Sequence, residues 1–209
     1  MSLTLIIGSK NFSSWSLRGW LTMQLTGAEF EEILIPLGGQ DTARRIREHS
    51  PSGKVPALKC EHGLIWDSLS IAEYLAERFP EAHLWPRGEA ARALARTVCA
   101  EMHSGFMALR SHMPMDIQRN QPLAEVPEAV EADIARIVEL WALCRQQFGQ
   151  DGPFLFGHAS IADAFYAPVA TRLRSYCVTL PIEAQNYVDA IYAWPAFRPW
   201  LDAAMVERA

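Results

Sequence analysis

The sequence predicts a small α/β domain followed by a larger domain made only of helices. Through residues 1–80, strand patterns and helical periodicity alternate in the order β-α-β-α-β-β-α. Prolines and a glycine then interrupt the pattern, so residues 81–88 are predicted to be a linker. Residues 89–209 contain long helical patterns and no run with strand periodicity, which predicts an all-α fold for this part.

Each element of the first domain has its own signal. Short apolar or β-branched runs bounded by turn residues predict strands, and apolar residues three to four apart predict helices. The first helix is expected to stop at Gly27, and Gly38-Gly39 end the second strand. The predicted strands are Leu3–Ile7, Phe30–Leu37, Pro56–Lys59 and Leu64–Trp66, and the predicted helices are Trp15–Leu25, Thr42–Glu48 and Ser68–Phe79.

The second domain is predicted from helical periodicity alone. Its helical runs are Glu89–Met113, Pro127–Phe148, Ile161–Ser175, Ile182–Tyr192 and a last one after Pro195. In the first of these runs, four residues at helical spacing form a stripe. The stripe is expected either to pack in the core or to line a pocket. It consists of Met102, Phe106, Arg110 and Met113.

Composition narrows the class of protein. Hydrophobic residues make up 50% of the chain and charged residues 21%, as in ordinary globular proteins. The formal net charge of -5 argues against a general nucleic-acid binder, which needs a basic surface. We expect a cytoplasmic protein without membrane contact, because neither a leader pattern nor an apolar run of membrane-spanning length is visible.

The cysteines and histidines predict no metal site. Cys60, Cys99, Cys144 and Cys177 are far apart in apolar segments, so we expect reduced thiols in the core. The 6 histidines are scattered without ligand spacing, and no metal is predicted.

The most informative segment is the turn between the first strand and the first helix, which contains Ser13-Ser-Trp-Ser16. A helix N-terminus carries unpaired N–H groups and favours negative charge. Redox enzymes of similar architecture have Cys-x-x-Cys at this position. Serines here therefore predict a site that stabilises a thiolate from another molecule. The alternative is that the serines only cap the helix.

Simple energetics support such a site. A free cysteine thiol has a pKa of about 8.5, and lowering it by about two units requires about 2.7 kcal/mol. One hydrogen bond to a charged group contributes about 1.5–3 kcal/mol. A helix N-terminus adds about 0.3–2 kcal/mol. A hydroxyl and a helix end therefore suffice without a general base.

Four segments together resemble the cytosolic glutathione transferase superfamily, nearest to its serine-type zeta class, over nearly the whole chain. They are Ser13–Arg18, Ser50–Leu58 with its Val-Pro step, Asp67–Leu75, and Ser160–Asp163. The resemblance implies a thioredoxin-like glutathione-binding domain over 1–80 and a helical-bundle domain over 89–209 that contributes the electrophile site.

The resemblance also implies an activity. A serine hydroxyl would stabilise the thiolate of glutathione, the co-substrate, for conjugation to a small hydrophobic electrophile or for its isomerisation. The expected protein is a cytoplasmic homodimer that acts in detoxification, without a metal.

Individual residues take roles from the same resemblance. Ser13, by its offset from Arg18, would hold the glutathione thiolate, and Ser14 is the second candidate. Lys54 would reach the glycyl carboxylate. Val55, before a proline whose peptide bond is expected to be cis, would pair its backbone with the tripeptide. An ordinary turn at this proline is the alternative.

The γ-glutamyl end of glutathione is assigned to the start of the third helix. Asp67 suits its ammonium group and Ser68 suits its carboxylate. Gln40 is assigned an assisting role in binding. Plain capping of this helix is the alternative, and Ser70-x-x-Glu73 is itself a capping-box pattern.

Three further residues or segments are interpreted structurally. Trp15 stands where the zeta pattern has cysteine, so the indole changes the pocket wall and weighs against maleylacetoacetate isomerase activity in particular. Arg18 is expected to pair within the fold or near the domain interface. Ser160–Asp163 is assigned to folding, as a buried capping box.

Other functions remain open. One is a non-catalytic binding or regulatory protein with the same fold. Another is a thiol oxidoreductase of the glutaredoxin or dehydroascorbate reductase kind, which needs a protein thiol where Ser13 stands. Within the family, a glutathione-dependent isomerase of the maleylacetoacetate type is the alternative.

Overall fold

The computed structural model describes residues 3–207 and confirms the predicted fold class. The strands are β1 (Leu3–Gly8), β2 (Phe30–Ile35), β3 (Ala57–Cys60) and β4 (Gly63–Trp66). The helices between and after them are α1 (Ser14–Thr26), α2 (Thr42–His49) and α3 (Ser68–Arg78). The helical part contains α4 (Glu89–Ser104), α5 (Met107–His112), α6 (Glu128–Phe148), α7 (Ile161–Ser175), α8 (Ile182–Ala193) and α9 (Arg198–Val206). The domain division at 81–88 stays a prediction, and residues 1–2 and 208–209 lie outside the described residues.

β1 is an interior strand of a four-stranded sheet with the order β2-β1-β3-β4. It pairs in parallel with β2 and antiparallel with β3, which pairs antiparallel with β4. Leu5 and Ile7 belong to the main core, whereas Ile6 packs with Ile35 and Ile46 in a second cluster. β1 is apolar except at Thr4 because both faces of the sheet are covered. This buried strand fixes the place of the turn that leads into α1.

α7 is the central helix of the helical part. All of its residues except Arg174 are buried, and it packs against α1, α4 and α8. Its N-terminus carries the predicted capping box. Ser160 Oγ accepts a hydrogen bond from Ala162 N–H at 3.2 Å, and Asp163 Oδ2 accepts one from Ser160 N–H at 2.9 Å. The predicted capping box at Ser160–Asp163 is therefore confirmed.

The prediction of one helix over Glu89–Met113 is wrong, because the backbone breaks after Ser104. Phe106 has a φ of 59°, in the left-handed region, which an α-helix does not enter. A Cβ at Gly105 would lie 2.8 Å from the Glu101 carbonyl oxygen. Glycine at this position therefore permits the turn that separates α4 from α5.

The four cysteines are free thiols, and two of them are buried as predicted. These are Cys99 and Cys144, whereas Cys60 is half-buried and Cys177 is exposed. The core prediction is wrong for Cys177 because the residue lies in the turn after α7, with a φ of 53°, and not on a packed helix face.

The described residues contain neither a membrane-spanning helix nor a cluster of metal-ligating side chains. Within residues 3–207, no helix combines the length and apolar character that crossing a membrane requires. The same residues include no group of three or more histidine, cysteine, aspartate or glutamate side chains arranged to hold a metal ion.

Candidate functional site

A cavity of about 770 Å³ opens where the turn before α1 meets the loop before β3 and the start of α3. Its size lies within the range of small-molecule sites, about 300–1,000 Å³. The residues assigned from the sequence that line it are Ser13, Ser14, Lys54, Val55, Asp67 and Ser68. The fold thus brings together three segments that are far apart in the sequence.

Hydrogen bonds between the end of β1 and the start of α1 fix the serine turn. Ser13 is the N-cap residue of α1, and its Oγ accepts a hydrogen bond from Ser16 N–H at 3.3 Å. The Ser13 hydroxyl donates to Ser16 Oγ at 2.7 Å, and Ser16 Oγ also accepts from Gly8 N–H at 2.9 Å. Ser16 is fully buried. Ser13 therefore caps the helix, and in this structure its hydroxyl hydrogen is directed into the fold.

Ser14 has a different environment. It is the first residue of α1, it lines the cavity, and it is 8% exposed. Its hydroxyl makes no hydrogen bond within residues 3–207, and the N–H of Trp15 likewise has no acceptor there. The first turn of α1 contains no acidic residue. A free hydroxyl and a free N–H at a helix N-terminus form a suitable environment for an anion.

The loop before β3 contributes backbone groups. The Val55–Pro56 peptide bond is cis, as the resemblance implies. The N–H and carbonyl of Val55 make no hydrogen bond to the described part of the chain. Lys54 is exposed and lines the same cavity. α1 lies close to this loop because its Gly19 has no side chain: a Cβ there would be 3.1 Å from Pro56 Cγ.

The start of α3 contributes a carboxylate and a hydroxyl. Asp67, with a φ of 75°, caps the helix, and its Oδ1 accepts hydrogen bonds from Leu69 N–H at 2.8 Å and Ser70 N–H at 3.3 Å. Ser68 is buried, and its Oγ has no hydrogen-bond partner in the described structure. A buried hydroxyl without a partner, beside a cavity at a helix N-terminus, is a candidate donor to a ligand.

The alternative capping box Ser70-x-x-Glu73 is wrong. α3 begins earlier, with Asp67 as its cap, so Glu73 is free to make other contacts. Its Oε2 accepts a hydrogen bond from Trp85 Nε1–H at 3.2 Å and lies 3.3 Å from Arg96 Nη2. Glu73 therefore joins α3 to α4.

His103, which no sequence pattern predicted as a site residue, extends from α4 into the cavity. Its Nε2 lies 3.3 Å from Asp67 Oδ2, and its ring meets that of Trp15 edge-on, with centroids 5.1 Å apart. Burial lowers the pKa of His103; Asp67 opposes this effect, whereas Arg18 and Arg110 reinforce it. A single histidine without a motif gives no sequence signal, since only the packing of α4 beside α3 brings it to the site.

Trp15 forms a wall of the cavity and packs between two arginines. The guanidinium carbons of Arg18 and Arg110 lie 4.4 Å and 4.7 Å from its ring centroid. Arg18 is 1% exposed, and it also lies over Phe165 of α7, 5.0 Å from that ring centroid. Burial, followed by the charges of Arg110 and Arg172, lowers the pKa of Arg18 to about 9. Arg18 lies within the fold, as expected, and its contact with Phe165 joins α1 to α7, but its Nε and Nη1 have no hydrogen-bond partner in the described residues.

Two other groups singled out in the sequence do not line the cavity. Gln40 is exposed in the loop between β2 and α2. Met102, Phe106 and Met113 are buried members of the main core. The apolar stripe at helical spacing is therefore part of the core.

Known proteins share this sequence pattern. The family profile of the glutathione S-transferase N-terminal domain matches residues 12–78, and that of the C-terminal domain matches residues 127–203. Rat maleylacetoacetate isomerase is 34% identical over 193 residues, which cover 88% of this chain and 85% of the rat protein. Maize protein IN2-1 is 24% identical over 192 residues, covering 91% of this chain and 72% of that protein.

Solved structures share the fold. Maleyl pyruvate isomerase, a bacterial zeta-class enzyme, gives a TM-score of 0.76 at 20% identity, covering 99% of this chain and 100% of that chain. A Burkholderia glutathione transferase homologue with bound glutathione gives a TM-score of 0.73 at 24% identity, covering 98% of both chains. At these identities the likeness is one of fold.

Proposed function

Because this chain belongs to the glutathione S-transferase family, we propose that it binds glutathione and directs the thiolate sulfur at a small hydrophobic electrophile. One observation carries the proposal: polar groups without partners in the described residues surround a single cavity. They are the Ser14 hydroxyl, the Val55 backbone and the Ser68 hydroxyl. Three separate binding groups match a tripeptide that has charged ends and a thiol between them.

One end of glutathione is assigned to the start of α3, and the other end to the loop before β3. The γ-glutamyl carboxylate would accept hydrogen bonds from Ser68, and Asp67 would face the ammonium group. The glycyl carboxylate is assigned to Lys54 and the central peptide group to the backbone of Val55. Gln40 takes an assisting role from its exposed loop.

The thiol is assigned to the N-terminus of α1. Ser14 O–H and Trp15 N–H have no partners there within the described residues, and the first helical turn has no carboxylate to repel a thiolate. Ser13 becomes a second donor if its hydrogen turns from Ser16 toward the sulfur. Ser16 then keeps its hydrogen bond from Gly8 N–H. One such hydroxyl and the helix end supply the ~2.7 kcal/mol that a two-unit fall in thiol pKa requires.

Conjugation is the first candidate reaction. The sulfur forms a bond to an electrophilic carbon, and the leaving group departs with its bonding electrons. Phe12, Leu37 and the wall formed by Trp15 give the cavity an apolar lining that suits a hydrophobic electrophile.

Isomerisation is the second candidate, favoured by the similarity to rat maleylacetoacetate isomerase. Here the sulfur adds to a cis double bond, the resulting single bond rotates, and expulsion of the sulfur restores a trans double bond and glutathione. Trp15 stands where the zeta pattern has cysteine, so an indole takes the place of a smaller side chain in the wall of the cavity. We therefore expect weaker isomerisation than conjugation.

The proposal includes a homodimer that acts in the cytoplasm in detoxification, as the family membership supports. Sedimentation velocity of the purified protein measures the oligomeric state directly. A sedimentation coefficient of a monomer at micromolar concentration would contradict the dimer.

Glutathione-dependent turnover tests the proposed activity. Calorimetry measures glutathione binding, and assays with a chlorodinitrobenzene and with maleylacetoacetate measure conjugation and isomerisation. We expect binding and turnover of at least one substrate, with turnover lost in the Ser13→Ala/Ser14→Ala double variant. Ser104→Ala, which changes an exposed serine at the end of α4, is the control.

Other outcomes of this experiment distinguish the alternatives. Tight binding without turnover of any electrophile would favour the regulatory protein. A mixed disulfide between glutathione and one of the four cysteines would favour the thiol oxidoreductase. Absence of glutathione binding would overturn the proposal.

A further inference from the structure

Lys10 and Asn11 link β1 to the serine turn. The backbone of both residues is held by a carboxylate that lies 196 residues after Asn11 in the sequence. Glu207, directly after α9, accepts Lys10 N–H through Oε1 at 2.9 Å and Asn11 N–H through Oε2 at 2.7 Å. These are two charge-assisted hydrogen bonds to successive backbone donors. Trp200 of α9 adds a third contact, since its Nε1–H donates to the Lys10 carbonyl at 2.9 Å.

Asn11 extends this network to the segment after α5. Its side chain accepts a hydrogen bond from Gln118 N–H at 2.9 Å and donates one to Asp116 Oδ1 at 2.9 Å. Gln118 Nε2 in turn donates to the carbonyl oxygens of Ala204 and Glu207, at 2.8 Å and 2.7 Å. Asn11 is 2% exposed. The contacts form a closed ring that connects α9, the segment after α5 and the entry to α1.

The residues held in this way lie directly before the proposed thiolate donors. Ser13 N–H donates to the Ser9 carbonyl at 2.8 Å, and the preceding N–H donates to the same oxygen at 3.2 Å. These bonds make one tight turn of the residues between β1 and α1. A displacement at Asn11 therefore moves Ser13 and Ser14 as well.

We infer that Glu207 is a positioning residue for the thiolate site and acts through the backbone of Lys10 and Asn11. It holds the serine turn in the place where Ser13 and Ser14 meet the glutathione sulfur. The inference rests on the proposed function, because it gives Glu207 a part in the chemistry of that site.

Because Glu207 is charged, the direction in which its replacement changes the thiol pKa of bound glutathione tests the inference. A nearby carboxylate disfavours a thiolate, so removing the charge alone would lower the thiol pKa. Loosening the serine turn weakens the hydrogen bonds to the thiolate and raises the same pKa. The other charged side chains in this network, Lys10 and Asp116, already have partners. Lys10 Nζ lies 2.6 Å from Glu32 Oε1, and Asp116 accepts a hydrogen bond from Asn11.

The experiment compares the thiol pKa of bound glutathione in Glu207→Ala, Glu207→Gln and the wild type. The ultraviolet absorbance of the thiolate is followed against pH at saturating glutathione. We expect Glu207→Ala to raise the pKa by about half to one unit, and Glu207→Gln, which keeps one acceptor oxygen, to raise it less. Asp202→Ala is the matched control: it removes an exposed carboxylate of α9 that pairs with Arg198 at 3.0 Å.

The outcomes separate the inference from the proposed function. One outcome is that the wild type lowers the thiol pKa of bound glutathione and Glu207→Ala gives the same or a lower value. This outcome would overturn the positioning role alone. If that variant does not fold, the same criterion applies to Glu207→Gln. A wild type that binds glutathione without lowering its thiol pKa would overturn the proposed thiolate mechanism itself. A loss of thermal stability with an unchanged pKa would assign Glu207 to the fold only.

Discussion

The N-termini of α1 and α7 are both capped by a serine, but they differ in whether the neighbouring polar groups have hydrogen-bond partners within the protein. At α7 the capping serine, Ser160, binds Asp163, and that carboxylate also accepts hydrogen bonds from Leu155 N–H and Tyr187 O–H. Ser160 and Asp163 are both buried. The hydrogen-bonding capacity of this helix start is therefore used within the protein.

At α1 part of that capacity remains free. Ser13 caps the helix and bonds to Ser16, but the Ser14 hydroxyl has no partner in residues 3–207 and lines the cavity. The first turn of α7 has an acidic residue, Asp163, whereas the first turn of α1 has none. An internal carboxylate occupies the N-terminus of one helix, and an external thiolate is proposed to occupy the other. The same local chemistry therefore supports folding at the start of α7 and is proposed to support binding at the start of α1.

Asp163→Ala gives the largest expected effect. It leaves buried donors from Leu155, Ser160 and Tyr187 without an acceptor, so we expect the free energy of unfolding to fall by about 3–5 kcal/mol. Chemical denaturation measures this loss. Asp163→Asn keeps the shape and one acceptor, and it should cost less. A folded Asp163→Ala protein that retains wild-type stability would show that the hydrogen bonds to Asp163 do not stabilise the fold.

Ser68→Ala tests the second free hydroxyl at the cavity. We expect glutathione to bind about tenfold more weakly, because one hydrogen bond to its carboxylate is lost. The thiol pKa of the bound glutathione should stay unchanged, since this serine is assigned to the other end of the tripeptide. Calorimetry compares the variant with Ser70→Ala, which removes an exposed hydroxyl of the same helix. Equal affinities in the two variants would contradict the assignment.

Ser160→Ala and Ser13→Ala form a matched pair. Each removes an N-cap and should lower the free energy of unfolding by about 1 kcal/mol. Only Ser13→Ala should also change the thiol pKa of bound glutathione. Denaturation and pH titration of both variants check this difference. A thiol pKa that shifts equally in both would mean that the effect comes from general loosening of the fold.

The last prediction concerns the pH dependence of stability. Burial, partly opposed by hydrogen bonds from Leu155, Ser160 and Tyr187, raises the pKa of Asp163 from 3.8 to about 6. Between these values the folded protein binds the proton more tightly than the unfolded chain, so this contribution to stability is lost as the pH rises through the window. The stability of the wild type relative to Asp163→Asn should therefore decrease from pH 4 to pH 6. An increase would mean that the hydrogen bonds outweigh burial.

Much of this architecture could be predicted because it depends on local signals. The apolar run of β1, the glycine after α1 and the Ser160–Asp163 box each act over a few residues, and each is found where the sequence placed it. The break between α4 and α5 was missed because helical periodicity continues through Gly105.

The contacts that complete the candidate site could not be predicted. His103 reaches the cavity, and Glu207 reaches the serine turn, only because separate helices pack together. Nor does the sequence distinguish Ser13 from Ser14, because the hydrogen bonds that each hydroxyl makes depend on the folded turn.

The decisive measurement is the thiol pKa of glutathione bound to the Ser13→Ala/Ser14→Ala double variant. We predict that the wild type lowers this pKa by about two units and that the double variant returns it toward the value of a free thiol, about 8.5. A double variant that binds glutathione and keeps the wild-type thiol pKa would contradict the account.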